Sequence, residues 1–154
     1  MEEVKLTDDN LADLTRNLHG ANRVLNRALT DALSQHRLLP SEFEVLRTLA
    51  ASPHGTLRIG KLVSPSTTQI SGMSRLIERM IKQRLVTREN SPDDRRVQKV
   101  SITPSGRDRL RLALAAHDAA VYQILDETGL NVEESGTLTA LLAHLTRSAH
   151  AAQC

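Results

Sequence analysis

Between Thr68 and Lys82 stands a set of side chains suited to recognition and not to bond making: Thr68, Gln69, Ser71, Gly72, Ser74, Arg75, Arg79 and Lys82. Small hydroxyls and a glycine let a backbone come close to a surface, while glutamine and arginine extend hydrogen-bond donors beyond it. Arginine's planar fork matches phosphate oxygens and guanine edges. A second set follows at Asp94-Arg95-Arg96. There the carboxylate can pair one guanidinium and fix its direction, leaving the other free to enter a narrow, electronegative minor groove. Catalytic patterns are missing: the chain has no Gly-rich phosphate loop, no Gly-x-Ser-x-Gly elbow and no constellation of paired carboxylates. Glu133-Glu134 and Asp93-Asp94 read as helix-start acids and a solvated turn. No catalytic residue and no cofactor are expected.

Metal and redox chemistry fare no better. The six histidines (His19, His36, His54, His117, His144 and His150) include no His-x-x-x-His pair, and Cys154 is the lone cysteine. Neither a metal site nor a disulfide is expected. His117 falls on an apolar stripe and reads as an interface histidine.

The charge balance agrees with the first two sets. The net charge is only +2, but residues 58–111 hold thirteen Lys and Arg against five Asp and Glu, a local surplus of +8. Sixteen of the twenty basic residues are arginine. Such segregation marks a face for a polyanion. Single-stranded or RNA partners are disfavoured, because the basic segment has no aromatic on which a base could stack. With Phe43 and Tyr122 as the only aromatics, 24 leucines must supply the core. No apolar run approaches the ~20 residues of a membrane helix, and Met1-Glu2-Glu3-Val4-Lys5 is unlike a signal peptide. A cytoplasmic protein with no membrane partner is expected.

The elements that must position these residues follow from periodicity. Leu11 to about Leu38 is a long amphipathic helix, and Ser41 with Glu44 fits a capping box opening a short second one. After the Ser52-Pro53-His54-Gly55 turn, residues 56–63 hold a short strand and a brief helix. A helix over Thr68–Gln83 turns Ile70, Met73, Ile77, Met80 and Ile81 inward, which sends its polar, arginine-bearing side outward. Two strands near Leu85–Arg88 and Gln98–Ile102 form a hairpin with a basic tip, and Thr103-Pro104 starts a helix that stops near Gly129. A last helix begins near Val132. The class is mainly α with a small β-hairpin.

Short helix, turn, longer helix and hairpin make a winged helix-turn-helix. Arg75-Leu76-Ile77-Glu78-Arg79-Met80, Leu85-Val86-Thr87-Arg88, Asp93-Asp94-Arg95-Arg96-Val97 and Val100-Ser101-Ile102-Thr103-Pro104-Ser105-Gly106 resemble the MarR family of bacterial transcription regulators. The Asp-Arg-Arg wing, followed by a strand, Thr, two residues and Gly, is fairly specific to that family. The helical order matches across nearly the whole chain. Arg84 departs from the pattern, which has glycine ending the recognition helix; arginine there must take a left-handed turn or end the helix otherwise.

The resemblance implies one domain over residues 1–154, with a winged-helix DNA-binding lobe at 40–103 and a helical dimerisation lobe at 5–39 and 104–150. It implies a homodimer on a near-palindromic double-stranded operator, most commonly as a repressor. Arg75 would contact bases, and Arg95 or Arg96, oriented by Asp94, would enter the minor groove. It also implies a small aromatic or phenolic effector, for which chain position suggests Arg16, His19 and Arg47 as lining residues. Each of these three also reads as a solvated helix residue. The rival reading is a winged-helix adaptor that binds protein and never touches DNA, for which Arg75 and the wing arginines would be dispensable.

Overall fold

Leucine steps of three and four along the first segment do produce a helix, α1, at Asp8–Ser34. The computed structural model describes residues 8–62, 70–90 and 98–151. After α1 come α2 (Pro40–Ala50), a single 3-10 turn at Pro53–Gly55, β1 (Thr56–Arg58), α3 (Ile59–Leu62), α4 (Ile70–Lys82), β2 (Val86–Asn90), β3 (Gln98–Ile102), α5 (Pro104–Thr128) and α6 (Val132–Ala151). Two units result, one through Ala120 and one from Val121.

In the first unit the core gathers the apolar faces of short elements. Phe43, Val45, Leu46 and Leu49 of α2 meet Met73, Leu76, Ile77 and Met80 of α4, with Leu33, Leu38, Leu85, Val86, Val100 and Leu110 closing around them. The inward face of α4 therefore includes Leu76, while Ile81 is only partly buried.

The expected hairpin is a three-stranded antiparallel sheet, ordered β1-β3-β2. Thr56 to Arg58 pair with Ser101 to Lys99, tied further by the Thr56 and Ser101 hydroxyls at 2.8 Å. On the other side Val86 faces Ile102 and Asn90 faces Gln98. The extra strand is three residues long, too short for alternation to reveal its partner.

The expected capping box at Ser41 and Glu44 is displaced by two residues. Pro40, with its fixed φ, occupies the first helical position, which makes Leu39 the N-cap and Glu42 the third residue. Glu42 Oε2 accepts the Leu39 N–H at 2.9 Å, and Glu44 instead pairs with Arg47 at 2.8 Å.

Of the two endings open to it, Arg84 takes the left-handed turn, with φ 59°. The Leu85 N–H reaches back to Met80 O at 2.9 Å and the Arg84 N–H to Ile81 O at 2.8 Å, so two carbonyls left open by α4 are satisfied. Arg37 closes α1 in the same way at φ 53°, through Leu38 to Leu33 and Arg37 to Ser34. A side chain with a Cβ costs ~1–2 kcal/mol in this conformation, and glycine's extra freedom in the unfolded chain offsets part of any relief. Arg84→Gly is expected to raise stability by about 0.5–1 kcal/mol in chemical denaturation. An unchanged midpoint would mean that the arginine side chain makes up for its backbone strain.

The second unit opens with the last residues of α5 and continues through Gly129, at φ 69°, into α6. Asn131 and Glu134 cap α6 reciprocally: Asn131 Oδ1 accepts the Glu134 N–H and Glu134 Oε2 accepts the Asn131 N–H, both at 2.9 Å. Leu138, Leu141, Leu142 and Leu145 are exposed along α6, as are Leu11, Leu14 and Leu18 along α1.

Candidate nucleic-acid interface

Helix α4 is anchored by its back. Met73, Ile77 and Met80 are fully buried and Leu76 nearly so, and Ser74, Arg75, Glu78, Arg79 and Lys82 are exposed or half-exposed on the other side. Gly72 is half-buried at the turn between the two faces. Thr68 and Gln69 lie outside the described residues, as does the side chain of Ser71. Arg75 is exposed and carries a face of the kind a major groove, ~12 Å wide, can accept.

Arg79 is tied to another element. Its Nε donates to Glu42 Oε1 at 2.8 Å, and Gln83 Nε2 donates to the same oxygen at 3.0 Å. Glu42 itself is 1% exposed, so Arg79 helps neutralise a carboxylate inside the lobe. Proximity in sequence gave no hint of this pairing across 37 positions.

The base of the wing is locked where α4 ends. Thr103 Oγ1 stands 2.7 Å from Arg84 O and 3.0 Å from Leu85 O, and accepts the Gly106 N–H at 2.9 Å. The Thr-x-x-Gly spacing is thus a helix cap joined to the strand that follows α4. Asp94, Arg95 and Arg96 lie outside the described residues, in the segment that joins the paired Asn90 and Gln98.

A further cationic group was not singled out by the residue patterns. Arg58 and Lys99 are cross-strand partners, and with His54 and Lys61 they line an open hollow of about 530 Å³ on β1, β3 and α3. For Arg58, Lys61 and Lys99 the only advance signal was membership of the basic stretch. The β1–β3 pairing brings them together.

Of the three candidate effector residues, Arg47 lines a cavity beside α2. It borders a space of about 580 Å³ with Asn26, Leu29, Leu33, Phe43 and His117. His117 stacks on Phe43 with ring centroids 5.1 Å apart, and its Nδ1 lies 2.9 Å from Asp118 Oδ1. Arg16 is exposed and paired with Asp13 at 2.8 Å, and His19 is exposed; neither borders that cavity. Among the described residues no group of three His, Cys, Asp or Glu could hold a metal ion, and no helix is long and apolar enough to cross a membrane.

Residues 38–97 match the model of the MarR family. The chain is 30% identical over 98 residues to the uncharacterised HTH-type transcriptional regulator YsmB of Bacillus subtilis, a match spanning 64% of this chain and 66% of that one. It is 22% identical over 141 residues to the HTH-type transcriptional repressor MdtR of the same organism, covering 91% and 90% of the two chains. In three dimensions it is similar to Sco3205, a MarR family transcriptional regulator from Streptomyces coelicolor whose structure is in complex with DNA. The TM-score is 0.81 at 26% identity, with 96% of this chain and 91% of that one covered.

Proposed function

Because this chain belongs to the MarR family of transcriptional regulators, we propose that it is a repressor that binds double-stranded DNA as a homodimer on a near-palindromic operator. The observation that carries this reading is the division of α4 into a buried aliphatic back and an exposed front bearing Arg75. In the proposed complex the front lies in the major groove, and Arg75 reads base edges with Gln69 and Ser74 nearby. Thr68, Ser71 and Gly72 allow close approach, and Arg79 sits beside the backbone. One of Arg95 and Arg96, directed by Asp94, enters the minor groove. Arg58, Lys61 and Lys99 extend the positive surface beside the base of the wing.

Self-association is supported by the exposed leucines of α1 and α6, which make no sense on helices meant to face water alone. Two-fold symmetry would then set the half-sites one helical turn, ~34–36 Å, apart. The cavity beside Arg47 supports a small aromatic anion as effector. Its bound form would release DNA by favouring a subunit spacing that fits the operator poorly. Function in the cytoplasm follows from this reading.

The test is a binding titration of the purified protein against the DNA upstream of its own gene and against a scrambled duplex. Preference for the former, with a two-fold-symmetric footprint, is the expected result. Equal affinity for every duplex at moderate ionic strength would sink the reading and favour an adaptor that binds protein. Replacing Arg95 and Arg96 together by alanine is expected to flatten the plot of log affinity against log salt. The slope should shrink by about 0.9 for every phosphate that the variant no longer neutralises. A slope identical to wild type would show that the wing does not grip the DNA backbone.

A further inference from the structure

Glu42 is the charged side chain buried in the described core, and its two oxygens serve different elements. Oε2 accepts the Leu39 N–H at 2.9 Å, and Oε1 accepts Arg79 Nε at 2.8 Å and Gln83 Nε2 at 3.0 Å. Capping α2 would require neither burial nor the second oxygen. Taking a carboxylate out of water is costly unless its lone pairs are filled, and both partners that fill this oxygen come from α4 and the residue that follows it. Gln83 also bears a local cost. Its own Oε1 is buried without a partner, and turning the amide over would set oxygen against carboxylate oxygen. The carboxylate therefore dictates how α4 presents its last turns.

Arg75, Arg79 and Gln83 are spaced four apart and form one ridge of α4 and its end. Two rungs of that ridge are held by Glu42, and the third is the exposed arginine. The aliphatic contacts of Met73, Ile77 and Met80 fix how deep α4 sits, but such contacts are non-directional and tolerate small rotations. Hydrogen bonds to a fixed carboxylate are directional and do not.

We propose that Glu42 is a positioning residue for DNA readout: acting through Arg79 and Gln83, it sets the rotation of α4 and so the aim of Arg75, without touching DNA itself. The proposal rests on the DNA-binding reading above. Under it, Arg79 contributes to specificity as a strut between helices, and its contact with phosphate is secondary.

The experiment compares wild type, Glu42→Gln, Arg79→Gln and the double variant for affinity to the operator and to a scrambled duplex, with a thermal melt of each. Either single change is expected to lower the ratio of operator to scrambled-duplex affinity about tenfold, a size usual for residues within one network, and Glu42→Gln is expected to leave scrambled-duplex affinity within about twofold. The double variant should match the singles. Losses that multiply to about a hundredfold, or an unchanged ratio of operator to scrambled binding in Glu42→Gln, would overturn the proposal. Arg79→Lys decides the matter even if Glu42→Gln melts early. Lysine keeps the charge and has donors of its own, but its flexible ammonium lacks the planar fork that fixes direction, so the directional strut is lost and a mere phosphate contact is kept. Operator affinity like that of Arg79→Gln supports the strut; wild-type affinity overturns it. A wild-type protein without operator preference would instead refute the DNA-binding reading, and would do so before any variant is compared.

Discussion

Arg75→Ala is expected to weaken operator binding by about 1–3 kcal/mol, roughly 5- to 150-fold, while scrambled-duplex affinity falls far less. The magnitude follows from the contact that the proposed complex gives this exposed arginine. In that complex two parallel N–H donors on a guanine edge would disappear together, and alanine would leave the acceptors with water held in a confined space. A phosphate contact would behave differently, since it carries no sequence information and its removal weakens all duplexes alike. The Arg75 side chain is exposed and has no ion-pair partner among the described residues, so its removal should leave the melting temperature in place. Anisotropy titrations against both duplexes separate the two roles. Parallel weakening on operator and scrambled DNA would reassign Arg75 to the backbone, and no change on either would remove it from the interface.

Much of this geometry was legible in advance because it depends on local pattern. The 3.6-residue period of Met73, Ile77 and Met80 identified both the existence and the inner face of α4. Arg84, where the family pattern has glycine, left two endings open for α4, and the backbone takes the left-handed one at φ 59°. Thr103-Pro104 announced the start of α5. What stayed hidden depends on pairings across space. The α2 cap was misplaced because a serine with a glutamate three residues on is the better local signal, and Pro40 overrode it by starting the helix at itself. Glu42 looked like an ordinary polar position between Ser41 and Phe43; its burial is explained only by Arg79 and Gln83, far along the chain. The Arg58–Lys99 juxtaposition needed the register of a three-residue strand. Arg16 and His19 were placed by chain position, and a helix whose face turns every 3.6 residues does not let position alone choose which side chains border a cavity.

The largest expected drop in stability comes from a site without charge. Gly106→Ala should lower the stability of the first unit by about 3 kcal/mol, at the top of the range for overpacking. At ~2–4 °C per kcal/mol for a chain of this size, the melt should shift down by about 6–12 °C. A Cβ at 106 would overlap the Leu85 carbonyl oxygen and crowd the Ile102 side chain. Neither can yield cheaply. The Leu85 carbonyl already accepts the Thr103 N–H at 3.0 Å, and Ile102 is paired with Val86 in the sheet. Leu85 directly follows the turn that ends α4, so pushing it away displaces α4 and the start of β2 together. Operator affinity measured well below the new melting point should therefore fall as well, which a core change remote from the interface would not cause. Ser105→Ala, one residue away and exposed, is the control and should stay within about ±0.5 kcal/mol of wild type. If Gly106→Ala melts with the control, the approach of α5 to Leu85 is loose in solution and the base of the wing is not a rigid joint.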